Sequence, residues 1–184
     1  MSAVPLDPHP GPWTEEEFLA LPEDRHIELL DGGLLVTPAA SGKHQRVAFL
    51  LALQLYAAVP DEYEVLESVN VRLAPSRILI PDVVVTSCLD GVAVYEAADM
   101  ILVAEVVSPS HQAIDRLIKP QFYAAAGIGW YLRVELGAAE SPEVIAYRLS
   151  DGVYAEHGRA QPGEMLRLSA PFEMEIDPEA LRRR

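Results

Sequence analysis

Two carboxylates stand where buried strands ordinarily carry none. Glu105 interrupts the run Ile101-Leu102-Val103-Ala104-Glu105-Val106-Val107, which reads as a strand covered on both faces. An unpaired carboxylate there is costly or is forced to take a proton, so it calls for a cation, a metal or hydrogen-bond donors. Asp82 makes the same demand at the head of Asp82-Val83-Val84-Val85, and Pro81 before it cannot donate to a ladder, which puts Asp82 at a strand end or bulge. Neighbouring strands lie about 4.8 Å apart, so two carboxylates on one face could share a divalent ion with oxygens about 2.1 Å away. The chemistry implied is a magnesium or manganese site built from two strands. For either acid alone a solvated strand end or a structural ion pair is an equal reading; the pair together favours a metal.

Lys119 and His44 are the next candidates. The chain writes arginine twelve times and lysine twice, at Lys43 and Lys119. Lysine is a compact point charge able to orient a water or a phosphate oxygen, where arginine binds bidentately. On residue types alone, the favoured reading of Lys119 is still a surface pair with Asp115, four residues earlier on one helical face. His44 shares a helical face with Val47, Ala48, Leu51 and Leu55; it could touch a phosphate or be a satisfied core histidine. Other chemistry finds no support. Ser41-Gly42-Lys43 lacks the first glycine of a phosphate loop, because position 37 is Thr37. No nucleophile elbow and no zinc pair is visible, Trp13 and Trp130 read as staple or core residues, and Cys88 as inert.

These residues need elements to hold them. A chain of 184 residues and 20.2 kDa is the size of one domain, expected over 13–184 after a flexible, proline-rich lead at 1–12. Thr14 and Glu17 form a capping box, with Trp13 and Phe18 as a hydrophobic staple, so a short helix begins here and stops near Pro22. HIELL and GLLVT around Asp31-Gly32-Gly33 read as a hairpin, and Lys43 to Ala58 as a helix closed by Pro60. YEVLESVNVRL, ILIPDVVVT and MILVAEVVS read as three strands. From His111 to Ala126, Ile114, Leu117, Ile118, Phe122 and Ala125 make an apolar helical stripe ended by Gly127. WYLRVEL, VIAYRL and short strands complete an α/β or α+β domain, a sheet covered by about three helices.

Charge restricts the partners. The formal net charge is −14, against a broad basic surface for nucleic acid or anionic membrane; any phosphate contact must be local. Residues 41–80 are the only neutral quarter of the chain. One cysteine excludes a disulfide framework and a cysteine-rich zinc site, and fits a reducing cytoplasm. No apolar run approaches the roughly 20 residues of a membrane span, and the proline-rich start does not resemble an export signal. A soluble, cytoplasmic protein is expected.

The ordered succession IELLDGGLLVTP, His44, IPDVVV, LVAEVVSPS, then Asp115, Lys119 and Tyr123 at four-residue intervals, then AAGIGWYL, resembles the Uma-two (Uma2) family of restriction endonucleases, within the PD-(D/E)XK nuclease superfamily. The resemblance runs from about Trp13 to Leu136. It implies a restriction-endonuclease-like core, a mixed β-sheet flanked by helices, and an Mg²⁺-dependent (or Mn²⁺-dependent) endonuclease hydrolysing DNA phosphodiesters. Asp82 matches the acid of the PD element and Glu105 that of (D/E)XK; both would bind the metal, with the Val106 carbonyl as a third ligand. The superfamily's lysine position, two after the acid, is here Val107, and Lys119 would supply the ammonium instead. Glu28 matches an accessory acid and His44 a position able to contact phosphate. DNA contact is expected to be weak or local, and a homodimer is expected if two strands are cut. Val107, Pro120 and the acidity give weight to a catalytically inactive domain serving in dimerisation or partner binding; a metal-dependent hydrolase of a small phosphorylated substrate is a further alternative. Lys119 would lie some 13 Å along a helix begun near Ser110, and Pro120 is expected to kink that helix.

Overall fold

The computed structural model describes residues 9–22, 26–36, 40–107, 114–136 and 142–182. The first helix, α1 (Glu15–Leu19), has the expected capping box: Glu17 N donates to Thr14 Oγ1 at 3.2 Å and Thr14 N to Glu17 Oε2 at 2.9 Å. Its buried Phe18 packs with Ile27, Leu29 and Ile78, and Trp13 covers the same small cluster. The hairpin pairs β1 (Ile27–Leu30) with β2 (Gly33–Val36). Its turn places Asp31 at φ 51° and Gly32 at φ 82°, the two positive angles that a tight hairpin turn of this hand requires. A Cβ on Gly32 would also come within 2.7 Å of Pro12.

Helix α2 (Gly42–Ala58) starts where Ser41 caps the His44 amide and ends at Val59, before Pro60. Val47, Ala48, Leu51, Ala52 and Leu55 form its buried face. They pack on the main sheet and on a C-terminal hairpin that is described below.

Two of the expected strands are each divided. YEVLESVNVRL becomes β3 (Glu64–Glu67) and β4 (Val71–Ala74), and the next run becomes β5 (Arg77–Leu79) and β6 (Val83–Thr86). The halves belong to different sheets. With β7 (Tyr95–Glu96), the smaller sheet has the order β2-β1-β5-β4-β7. The breaks have local causes: Ser68 adopts φ 55°, and Pro81 has no N–H for a ladder. Ser68 N donates to the Asp82 carbonyl at 3.2 Å, so the two crossing points are tied together and Asp82 stands at a strand end.

The main sheet contains β8 (Met100–Val107), β9 (Trp130–Leu136), β10 (Pro142–Ser150) and β11 (Val153–Ala160), in the order β11-β10-β9-β8-β6-β3. It is mixed: β8 runs parallel to β9, and the other pairs are antiparallel. β6 and β8 are buried along nearly their whole length, as continuous apolar runs require. One face packs on α2, and β12 (Leu166–Leu168) and β13 (Met174–Ile176) extend that core. The other face carries Val84, Val103 and Tyr131, against which Tyr123 packs from outside the sheet.

The segment after β8 departs most from expectation. Ser108 to Ala113 lie outside the described residues, as do residues 1–8 of the lead. From Ile114 to Ile118 the chain makes a π-helical turn, and only then does α3 (Lys119–Ala125) begin. Pro120 therefore falls in the first turn of α3, not in the interior of a helix begun near Ser110, a position where proline is tolerated. Lys119 lies at the start of α3, not deep within it. The apolar stripe is also turned outward: Leu117 is 63% and Ile118 41% exposed, while Asp115, Lys119 and Tyr123 are buried. Lys119 and Tyr123 win the inner face because Glu28 and Glu105 lie beneath them. Among the described residues no helix is long and apolar enough to cross a membrane.

Candidate functional site

Glu105 projects from the middle of β8 and is 2% exposed. Its Oε1 accepts from Lys119 Nζ at 3.1 Å and from the Tyr123 hydroxyl at 2.5 Å. The same ammonium lies 3.2 Å from Glu28 Oε1, which also accepts from the Ile80 amide at 2.8 Å. The N-terminal hairpin, the bend before β6, the middle of the sheet and α3 thus converge on one lysine. Lys119 is buried between Glu28 and Glu105, and the reading of it as a surface ion pair with Asp115 does not hold.

A second group adjoins the first. The antiparallel register Val83↔Ala104, continued by one place, sets Asp82 opposite Glu105. Asp82 Oδ2 accepts from the Val106 amide at 2.7 Å and lies 3.1 Å from His44 Nε2. His44 reaches it from the first turn of α2, on the sheet-facing side expected of it. Val106 links the two groups, following Glu105 in the chain and donating to Asp82. Below them, the Tyr131 hydroxyl donates to the Asp115 carbonyl at 3.2 Å and braces the π turn.

Negative charge is in excess. Burial pushes the Glu105 carboxyl up to about 8; Lys119 opposes that shift, and Asp82, Asp115 and Glu28 add to it. Burial alone would lower the Lys119 ammonium, but Glu105, Glu28, Asp115 and Asp82 outweigh it and raise the group above its ordinary range. His44 behaves similarly: burial acts to lower it, while Asp82, a backbone hydrogen bond with Val106, and Asp115 raise it. Asp82, Glu28 and Glu105 thus face the Lys119 ammonium and the His44 imidazole.

This arrangement fixes a sign for the pH dependence of stability. Glu105 binds its proton more tightly folded, near pH 8, than at its ordinary 4.5. Its contribution is fully present below pH 4.5 and is lost as pH rises through about 8. In EDTA, the melting temperature of the wild type should fall relative to that of Glu105→Gln across this window. A difference that does not vary with pH would remove Glu105 as the titrating group.

The donors available to a metal are hard oxygens, the carboxylates of Asp82 and Glu105 and the Val106 carbonyl, the type that suits Mg²⁺ or Mn²⁺. Among the described residues no three His, Cys, Asp or Glu side chains are grouped to hold an ion. Mg²⁺ ordinarily takes one or two carboxylates and keeps several waters, so the two-carboxylate set fits it. Glu28 faces Lys119 and Ile80. Sequence reading gave Asp115 only a surface pairing with Lys119 and gave Tyr123 no role, although their spacing from Lys119 was the available signal, and it passed over Arg133, which lies beside Glu105 in the register of β8 and β9.

The model of the Uma2 family, described as "Putative restriction endonuclease", matches residues 15–179. Among solved structures, the chain is similar to one titled "Crystal structure of a putative nuclease belonging to DUF820 from Anabaena variabilis", with a TM-score of 0.71 at 17% identity. The match covers 92% of this chain and 97% of that one, and at that identity it is a likeness of fold. No curated protein matches.

Proposed function

The chain belongs to the Uma2 family, and from that premise we propose that it is an Mg²⁺- or Mn²⁺-dependent endonuclease that hydrolyses DNA phosphodiesters at Asp82, Glu105 and Lys119. The observation that carries this reading is the buried Lys119 ammonium held between Glu28 and Glu105, beside an Asp82 directly across the strands. Asp82, Glu105 and the Val106 carbonyl would hold Mg²⁺, which would supply charge neutralisation for phosphate and lower the pKa of a water bound to it. Lys119 is the one ammonium in the site, and its place between two acids fixes where its remaining donor capacity can orient a water or a phosphate oxygen. Glu28, fixed by the Ile80 amide, positions Lys119; Tyr123 positions the Glu105 carboxylate. His44, made more basic by Asp82, offers a cation to a phosphate oxygen.

A non-catalytic domain of the same fold is the second reading. It is favoured by Val107 in the usual lysine position and by a site whose charges already partner one another.

Incubation of the protein with supercoiled plasmid separates the two. Nicking or linearisation is expected in Mg²⁺ or Mn²⁺, with none in EDTA, and duplex binding should weaken steeply when the divalent ion is removed. Cleavage that persists in EDTA would exclude the metal role, and intact plasmid under every condition would leave the non-catalytic domain.

A further inference from the structure

Any DNA reaching this site must lay neighbouring phosphates on a protein of net charge −14, so the few cations near Glu105 matter. We propose that Arg133 and Arg159 form a DNA-backbone track leading from Glu105 across the main sheet, an inference that rests on the nuclease reading above.

The register places them. Glu105 on β8 is opposite Arg133 on β9, Arg133 is opposite Ile145 on β10, and Ile145 is opposite Arg159 on β11. Residues directly opposite share a face of the sheet, so these four make one cross-strand row that starts at the site. At about 4.8 Å per strand, Arg133 is one step from Glu105 and Arg159 three steps, roughly 14 Å. That is the span of about four nucleotides of one DNA strand.

The partners of the two arginines leave them available. Arg116 binds both oxygens of Glu135, at 2.8 and 2.6 Å. Arg133 Nε lies 3.0 Å from Glu135 Oε1, but without the alignment of a hydrogen bond, and this buried nitrogen has no hydrogen-bond partner. The Arg133 guanidinium lies 5.2 Å from the centre of the Tyr147 ring, which holds the fork flat without using its donors. Arg159 is half exposed and paired with Glu156 and Glu143, exposed contacts that a phosphate can replace at small cost. Glu135, Glu143 and Glu156 balance Arg116, Arg133 and Arg159, so this patch is neutral within an acidic chain. An arginine fork matches phosphate geometry with two parallel hydrogen bonds.

The test is binding of a short fluorescein-labelled DNA duplex by the full chain across a salt series. Ca²⁺ replaces Mg²⁺, and a denaturing gel verifies that the duplex stays intact. Arg133→Gln and Arg159→Gln should each weaken binding by about tenfold and flatten the plot of log affinity against log salt by about 0.9 per lost contact. Arg159→Lys should restore the slope but not the full affinity. Arg167→Gln, on an exposed side chain of β12 paired with Glu175, should bind as the wild type does. Because Arg159 is exposed, its variants keep the fold and decide the matter even if Arg133→Gln unfolds. A protein that cleaves and binds DNA with both glutamine variants unchanged would overturn the track alone. A wild type that neither binds nor cleaves would overturn the nuclease reading and the track with it.

Discussion

Replacing Lys119 by methionine should destabilise the protein by about 3–5 kcal/mol at neutral pH, the range for removing one partner from a buried ion pair. Lys119 is 8% exposed and its ammonium faces Glu28 and Glu105, each 2% exposed. Without it, two desolvated carboxyl groups confront each other, and at least one must take a proton. Glu105 is the group prepared to do so, since burial already pushes it up to about 8. The cost should therefore shrink on acidification, as protons replace the missing ammonium, and grow as pH rises through that value. The double variant Lys119→Met with Glu105→Gln should recover part of the loss, because it removes the charge that methionine leaves stranded; two independent effects would simply add. Urea melts of the four proteins at an acidic and an alkaline pH measure this directly. A Lys119→Met protein as stable as the wild type at alkaline pH would contradict the buried pairing.

The same cluster shows where sequence reading succeeds and where it fails. Local signals were sufficient for α1, the first hairpin and α2, because a capping box, an Asp-Gly turn and a helical apolar face each act within a few residues. Glu105 was legible for a different reason: an acid in a buried apolar run is a conflict that the fold must resolve. The direction of α3 was not legible. Periodicity preferred Leu117 and Ile118 for the inner face, yet burial of Lys119 and Tyr123 is set by Glu105 and Glu28, which lie 14 or more residues away in the chain. The division of two strand runs between sheets was hidden in the same way. Pro81 marked a break, but only the tie between Ser68 and the Asp82 carbonyl shows that the chain changes sheet there. The Arg133–Arg159 row exists only through pairing of strands distant in sequence, which composition does not encode.

Asp82→Ala should abolish plasmid cleavage, a loss of about a thousandfold or more on the scale of removing a principal electrostatic contact to the reacting groups, while the protein remains folded. The contrast with Lys119 comes from position. Asp82 stands at the strand end with its side chain 15% exposed, against 3% for Glu105. Its removal strands no carboxylate or ammonium in the core, and the partner it leaves is the His44 imidazole, whose side chain is 14% exposed. The main structural consequence falls on the Val106 amide, which loses its acceptor, at about 1–3 kcal/mol if water cannot replace it. His44 also loses the carboxylate that raises it, so its pKa should fall, which a histidine NMR titration can follow. Asp82→Asn then separates charge from hydrogen bonding. The amide oxygen can still accept from Val106 and keep stability near that of the wild type, but it is a neutral and poor partner for a divalent ion. Loss of cleavage and of Mn²⁺ affinity together, at unchanged melting temperature, is the outcome that assigns Asp82 to the ion. An Asp82→Asn protein that still cleaves at the wild-type rate would confine this residue to holding Val106 and His44 in place.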